Sequence, residues 1–118
     1  MGSAAVRMTV RWRLTPGEAR SIASTLQAQM AETRATPGCS SCSLSTQVDA
    51  ATEVTYVEEW CSVADLERQI RSRRFATLAE LMERGATPPV VEFALPGGTR
   101  GLEYAQRVMA SGRAADQQ

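Results

Sequence analysis

Apolar and polar residues alternate strictly from Val6 to Leu14. Val6, Met8, Val10, Trp12 and Leu14 take one side, and Arg7, Thr9, Arg11 and Arg13 take the other. A period of two over this length predicts a strand with one buried face. The pattern then changes. Thr15 can cap a helix, Pro16 suits its first position, and Glu18 completes a capping box. Ala19, Ile22, Ala23, Leu26 and Met30 follow at helical spacing, and Thr36-Pro37-Gly38 ends the run. Ser41–Val48 predicts a second strand with Cys42, Leu44 and Val48 on one face. Glu53–Cys61 predicts a third, joined to it as a hairpin through Asp49–Thr52. Ser62 caps the next helix, with Asp65 three residues on and Leu66 and Ile70 on its buried side. Arg71-Ser72-Arg73-Arg74 interrupts that helix, and Phe75, Leu78, Leu81 and Met82 resume it. Val90–Leu95 is a fourth strand, Pro96-Gly97-Gly98 breaks the chain, and Leu102–Ala110 reads as a short terminal helix or arm.

The order β-α-β-β-α-β is the split βαβ arrangement of α+β, ferredoxin-like domains. It predicts a four-stranded antiparallel sheet with both helices on one side, within a single domain over 1–118. The core spans about 6–96 and the arm about 100–111. The other sheet face needs a cover. In a chain of 118 residues, the expected cover is a second copy of itself, giving a homodimer.

The hairpin register decides which third-strand residues share a face, because one residue of slip exchanges the two faces. Pairing Leu44 with Val57 through a two-residue turn at Ala50–Ala51 puts Val57 and Cys61 under the helices, with Glu59 at the edge of that side. Tyr56, Glu58 and Trp60 then look out on the open face beside Ser41, Ser43 and Ser45. Arg7, Arg11 and Arg13 of the first strand adjoin Glu58. Aromatics, hydroxyls, arginines and a carboxylate together have the composition of a ligand site.

Composition narrows the chemistry. The 13 basic and 13 acidic residues cancel, so nothing favours nucleic acid or an anionic membrane surface. No apolar run approaches a membrane span, and the first residues lack a secretory pattern, so a cytoplasmic protein is expected. The chain has no His, Lys or Asn. That excludes Ser-His-Asp and Cys-His catalysis, Schiff-base chemistry and His-ligated haem or zinc. Proton transfer falls to Glu, Asp, Tyr, Cys or water. Cys39 and Cys42 form a CxxC pair that leads into a strand instead of a helix. With strand residues three apart on opposite faces, plain small core or strand residues are expected. No metal site is expected from three thiols. The arginines at 68, 71, 73 and 74 read as a solvated face.

"YVEEWCSVADLERQIRSRRFATL" resembles the signature of the antibiotic biosynthesis monooxygenase family, which includes quinol monooxygenases. The resemblance rests on Glu58-x-Trp60, the capped helix after it, and Ser72-x-x-Phe75. "PGCSSCSL" resembles the family's second strand and "RGLEYAQRV" a tail seen in some members. It implies a dimeric α+β barrel, with two sheets face to face and a ligand cavity between sheet and helices in each subunit. It also implies a cofactor-independent oxygenase that acts on small aromatic or polycyclic phenols or quinols with molecular oxygen. On that reading Glu58 is the base and Trp60 its catalytic companion. Tyr56, Arg11, Ser43, Gln69, Arg74 and Phe75 bind substrate. Many members carry His at the positions of Gln69 and Arg74, and some carry Asn at that of Tyr56. Their replacement here motivates an alternative, a non-catalytic dimeric module that binds a small aromatic or hydrophobic molecule or serves as an interaction scaffold. Lyase or isomerase chemistry in the same cavity is a third reading. Residue by residue, the same groups also fit structural roles: Glu58 paired with Arg11, and Trp60 a packing anchor.

Overall fold

A computed structural model describes residues 5–48, 52–85 and 87–116. The first strand, β1 (Val6–Leu14), buries all five alternating apolar residues and leaves Arg7, Arg11 and Arg13 exposed. Helix α1 (Pro16–Ala35) begins on the predicted capping box. Thr15 accepts from the Glu18 amide, and the Glu18 carboxylate accepts from the Thr15 amide at 3.1 Å. Ala19, Ile22, Leu26 and Met30 bury one stripe of the helix, the positions its 3.6-residue period sets.

Strands β2 (Cys39–Val48) and β3 (Thr52–Trp60) pair antiparallel. Helix α2 (Val63–Ile70) starts on Ser62. Helix α3 (Arg73–Met82) starts on Ser72, whose hydroxyl accepts from the Phe75 amide, so the expected interruption is a second helix start. Strand β4 (Val90–Leu95) follows. A short strand β5 (Gly98–Arg100) then folds back on β4, and helix α4 (Leu102–Asp116) ends the described chain. Gly38, at φ 93°, needs glycine twice over: the backbone is left-handed, and a Cβ there would collide with the Asp65 carboxylate. Its carbonyl accepts from the Cys61 amide at 2.8 Å, which ties the start of β2 to the end of β3.

The sheet is antiparallel in the order β2-β3-β1-β4-β5, with β1 and β3 central, as ferredoxin-like topology requires. Five strands replace the expected four. Three residues, one of them Gly98, were too short and too glycine-rich to read as a strand. The tail is likewise a helix longer than the expected arm. One core lies between the sheet and the helices, built on Met8, Val10, Trp12, Leu26, Val54, Trp60, Leu66, Phe75, Leu78 and Phe93.

The hairpin register differs from the expected one by a single residue. Leu44 pairs with Tyr56, not Val57, and Val48 pairs with Thr52, which makes the connection 49–51 three residues long. The expected turn at Ala50–Ala51 lies outside the described residues. The shift exchanges the faces of β3. Val54, Tyr56, Glu58 and Trp60 lie under the helices opposite Trp12, Val10, Met8 and Val6. Val57 and Glu59 face the other way. A bulge between Cys39 and Ser41 also places Cys39 opposite Trp60 and Cys42 opposite Glu58. The two cysteines therefore share the helix side, where a regular strand would separate them.

Candidate functional site

On the helix side of β3, residues two apart in sequence stand in a row, and the row is polar at its centre. Glu58 is 2% exposed. A carboxylate so buried needs donors. The row itself supplies them: the Tyr56 hydroxyl donates to Oε2 at 2.5 Å and the Trp60 indole Nε1 to Oε1 at 3.0 Å. The Cys42 thiol, across the β2–β3 ladder, donates to the Tyr56 oxygen at 3.3 Å. The Gln69 amide of α2 and the Arg74 guanidinium of α3 add to the stabilisation of the charged form. Burial outweighs these, and the Glu58 carboxyl is pushed above its ordinary value. Burial and the Glu58 charge also push the Tyr56 hydroxyl up, and burial pushes up the Cys42 thiol.

Around this row lies an ordered polar shell. Gln69 is buried and its carbonyl oxygen accepts from Arg74 Nε at 3.2 Å and Nη2 at 3.0 Å. Arg74 Nη1 meets Glu32 of α1 at 3.0 Å, and the Gln29 amide donates to the Arg74 carbonyl at 3.2 Å. Gln69 and Arg74, where many family members carry His, thus form a clamp between α1, α2 and α3 over the carboxylate.

Five of the predicted site residues therefore share one region: Tyr56, Glu58, Trp60, Gln69 and Arg74. Phe75 follows Arg74 directly and is buried in the same layer. Arg11 and Ser43 are elsewhere. Arg11 pairs with Thr55 and Ser43 with Val57, on the opposite face of the sheet. The expected Glu58–Arg11 pair is replaced by the Tyr56 and Trp60 donors. Glu59, expected on the helix side, is on the open face instead. It accepts from the Ser41 hydroxyl at 2.8 Å and from Arg7 at 3.1 Å, which hold its carboxyl below the usual range. The arginine run is largely neutralised locally, Arg68 by Asp65 at 3.1 Å and Arg74 by Glu32.

One open volume lies beside this network. A groove of about 640 Å³ runs between α3, α4 and β4, well within the range of small-molecule sites. Phe75, Ala79 and Met82 form its α3 wall, Leu102, Gln106 and Met109 its α4 wall, and Pro89 and Val91 part of its floor. Val91 pairs with Val10, which pairs with Tyr56, so the floor is two strands, roughly 10 Å, from the polar row. One turn of α3 touches both features, Arg74 the network and Phe75 the groove. Apart from Phe75, sequence reasoning did not find the groove, because its residues come from three separate elements, one of them expected as a short terminal helix or arm. The sole signal was the apolar spacing of Leu102, Ala105, Val108 and Met109.

No helix among the described residues is long and apolar enough to cross a membrane, and no group of three or more His, Cys, Asp or Glu is placed to hold a metal. Cys39, Cys42 and Cys61 form no disulfide.

Several solved structures share the fold. A conserved protein of Methanosarcina mazei is 20% identical with a TM-score of 0.67, covering 77% of this chain and 91% of its own. A Mycobacterium tuberculosis protein, Rv0793, is 24% identical at 0.68, covering 79% and 95%. A Bordetella bronchiseptica protein provisionally named as an antibiotic biosynthesis monooxygenase is 28% identical at 0.53, covering 79% and 95%. No curated protein matches the chain in sequence. The antibiotic biosynthesis monooxygenase family model matches residues 5–81, well over half the chain, including the whole Glu58 row and α3 as far as Leu81. The chain therefore belongs to the antibiotic biosynthesis monooxygenase family.

Proposed function

We propose that this domain works as a homodimer that takes a small apolar, aromatic-sized molecule into the groove between α3, α4 and β4. The observation that carries the reading is the contrast between the two features of the helix layer. The Glu58 row is closed and satisfied, whereas the groove is open, apolar and large enough for a ligand. Titration with a panel of anthrones, quinols and uncharged aromatics tests it. Saturable binding is expected, weakened at least about tenfold by Ala79→Trp, which fills the α3 wall. Unaltered binding in that variant would put the ligand elsewhere.

Oxygen chemistry on the bound molecule is the second reading. It is favoured by Glu58, a buried carboxyl pushed upward, toward the working range of a general base, and stabilised by Arg74, which neighbours Phe75 of the groove wall on α3. The substrate, once deprotonated, would supply the electrons to oxygen. Because Glu58 is closed in, Phe75 and the Arg74 clamp must swing aside for contact. Oxygen uptake by the wild type that disappears in Glu58→Gln would select this reading over simple binding.

The dimer is supported by the sheet's uncovered face, where Val57 stands between Thr9 and Ser43, and Val90 is 55% exposed. Wild type is expected to elute as a dimer and Val57→Asp as a folded monomer, because a charge at the centre of such a face would be buried without a partner. Light scattering reads the result directly, and a monomeric wild type would end the barrel proposal.

A further inference from the structure

The groove's charge is one-sided. Among its described lining residues, Glu83 is the sole ionisable side chain and Gln106 the sole other long polar one. All 13 of the chain's cations are arginines, and none stands among the groove's described lining residues. Arg84 and Arg107, neighbours in sequence of Glu83 and Gln106, are exposed, as Glu83 itself is, but lie outside the lining. The backbone adds to the asymmetry. Glu83 is the C-cap residue of α3, at the negative pole of that helix, and the last turn carries no basic residue. The positive pole of α4 borders the groove through Leu102, but Glu103 in its first turn offsets it.

We infer that the groove selects against anions, so that its occupant is an apolar molecule whose polar end donates hydrogen bonds and bears no negative charge, with Glu83 as the specificity-determining residue. A hydroxyl or an amine N–H can donate to the Glu83 carboxylate or to the Gln106 carbonyl. A carboxylate, sulfonate or phenolate meets a like charge with no arginine among the described lining residues to offset it. The inference rests on the groove being the ligand site. It also sharpens the choice between binding and oxygenation, since a substrate anion would find no stabilising charge there.

A matched pair of fluorescent probes tests it: phenylnaphthylamine, which is neutral with one N–H donor, and anilinonaphthalene sulfonate, which has the same ring system plus an anion. Phenylnaphthylamine is expected to bind about tenfold or more tightly than the sulfonate. Glu83→Gln is expected to shrink that preference to about threefold or less by improving sulfonate binding alone. Equal affinities in the wild type, or a preference untouched by Glu83→Gln, would overturn the charge selection while leaving the ligand site intact. If neither probe binds, or if binding survives both Ala79→Trp and Gln106→Trp, the groove is not the ligand site. Gln106 is exposed on α4, so the second blocking variant stays informative if the first fails to fold.

Discussion

Glu58→Ala is expected to destabilise the fold by about 3–5 kcal/mol, the cost of leaving buried polar partners unpaired around a new cavity. The Tyr56 hydroxyl and the Trp60 indole both donate hydrogen bonds to this carboxylate. Glu58→Gln keeps the volume but turns an amide NH₂ toward one of two donors, for a loss of about 1–3 kcal/mol. The pH dependence carries a second signature. Burial raises the folded-state value of Glu58 above the ordinary 4.5. Its contribution is then fully present below pH 4.5 and is lost as pH rises through the folded value, because the unfolded chain releases this proton first. Glu59 runs the other way: with its folded value lowered, its contribution is present above 4.5 and lost on acidification. Comparing wild type with Glu58→Gln cancels Glu59 and isolates Glu58. In urea melts from pH 4.5 upward, the wild-type advantage over Glu58→Gln should shrink. An advantage that stays constant or grows with pH would mean that the fold does not raise the Glu58 value.

The first strand, the capping box and the helix start at Ser62 were legible because each depends on local chemistry: a period of two, a hydroxyl accepting from an amide three residues on, a proline at the first turn. The start at Ser72 read only as an interruption, because the arginines around it mask the cap. The β2–β3 register was not, because it depends on the turn. Asp49–Thr52 offers no strong hairpin dipeptide, so a two-residue and a three-residue connection look alike in sequence. The face assignment then turned on whether Glu58 or Val57 goes inside. A rule that buries the valine fails here, because Val54, Tyr56 and Trp60 outweigh Val57 and Cys61 in apolar bulk and bring two hydrogen-bond donors for the carboxylate between them. The spacing Tyr56-x-Glu58-x-Trp60 already contains that answer, since strand residues two apart share a face and can satisfy one another. Arg11 and Ser43 left the site by the same one-residue shift. Gln69, Arg74 and Phe75 stayed, because their helices pack on the side to which Glu58 moved.

The two tryptophans provide a test within one core. Both are 0% exposed and both stand on the helix side of the central strands. Trp60 Nε1 donates to Glu58 at 3.0 Å, whereas Trp12 Nε1 has no acceptor among the described residues. Replacement by Phe removes a similar ring volume at each site, so the cavity terms are close and the difference isolates the hydrogen bond. Trp60→Phe should cost roughly 2–4 kcal/mol, since it strands a carboxylate oxygen inside the protein as well as shrinking the ring. Trp12→Phe should cost only about 1 kcal/mol, because the N–H it deletes is itself buried without a partner. Urea denaturation at neutral pH measures both. Repeating the melts in Glu58→Gln refines the comparison: the Trp60→Phe loss should shrink there and the Trp12→Phe loss should not, as the coupling runs only between Trp60 and Glu58. Equal losses for the two tryptophans would mean that Trp60 is held by packing alone. Glu58 would then rely on Tyr56 and the Gln69–Arg74 clamp, and the row would be a weaker platform for either binding or oxygen chemistry.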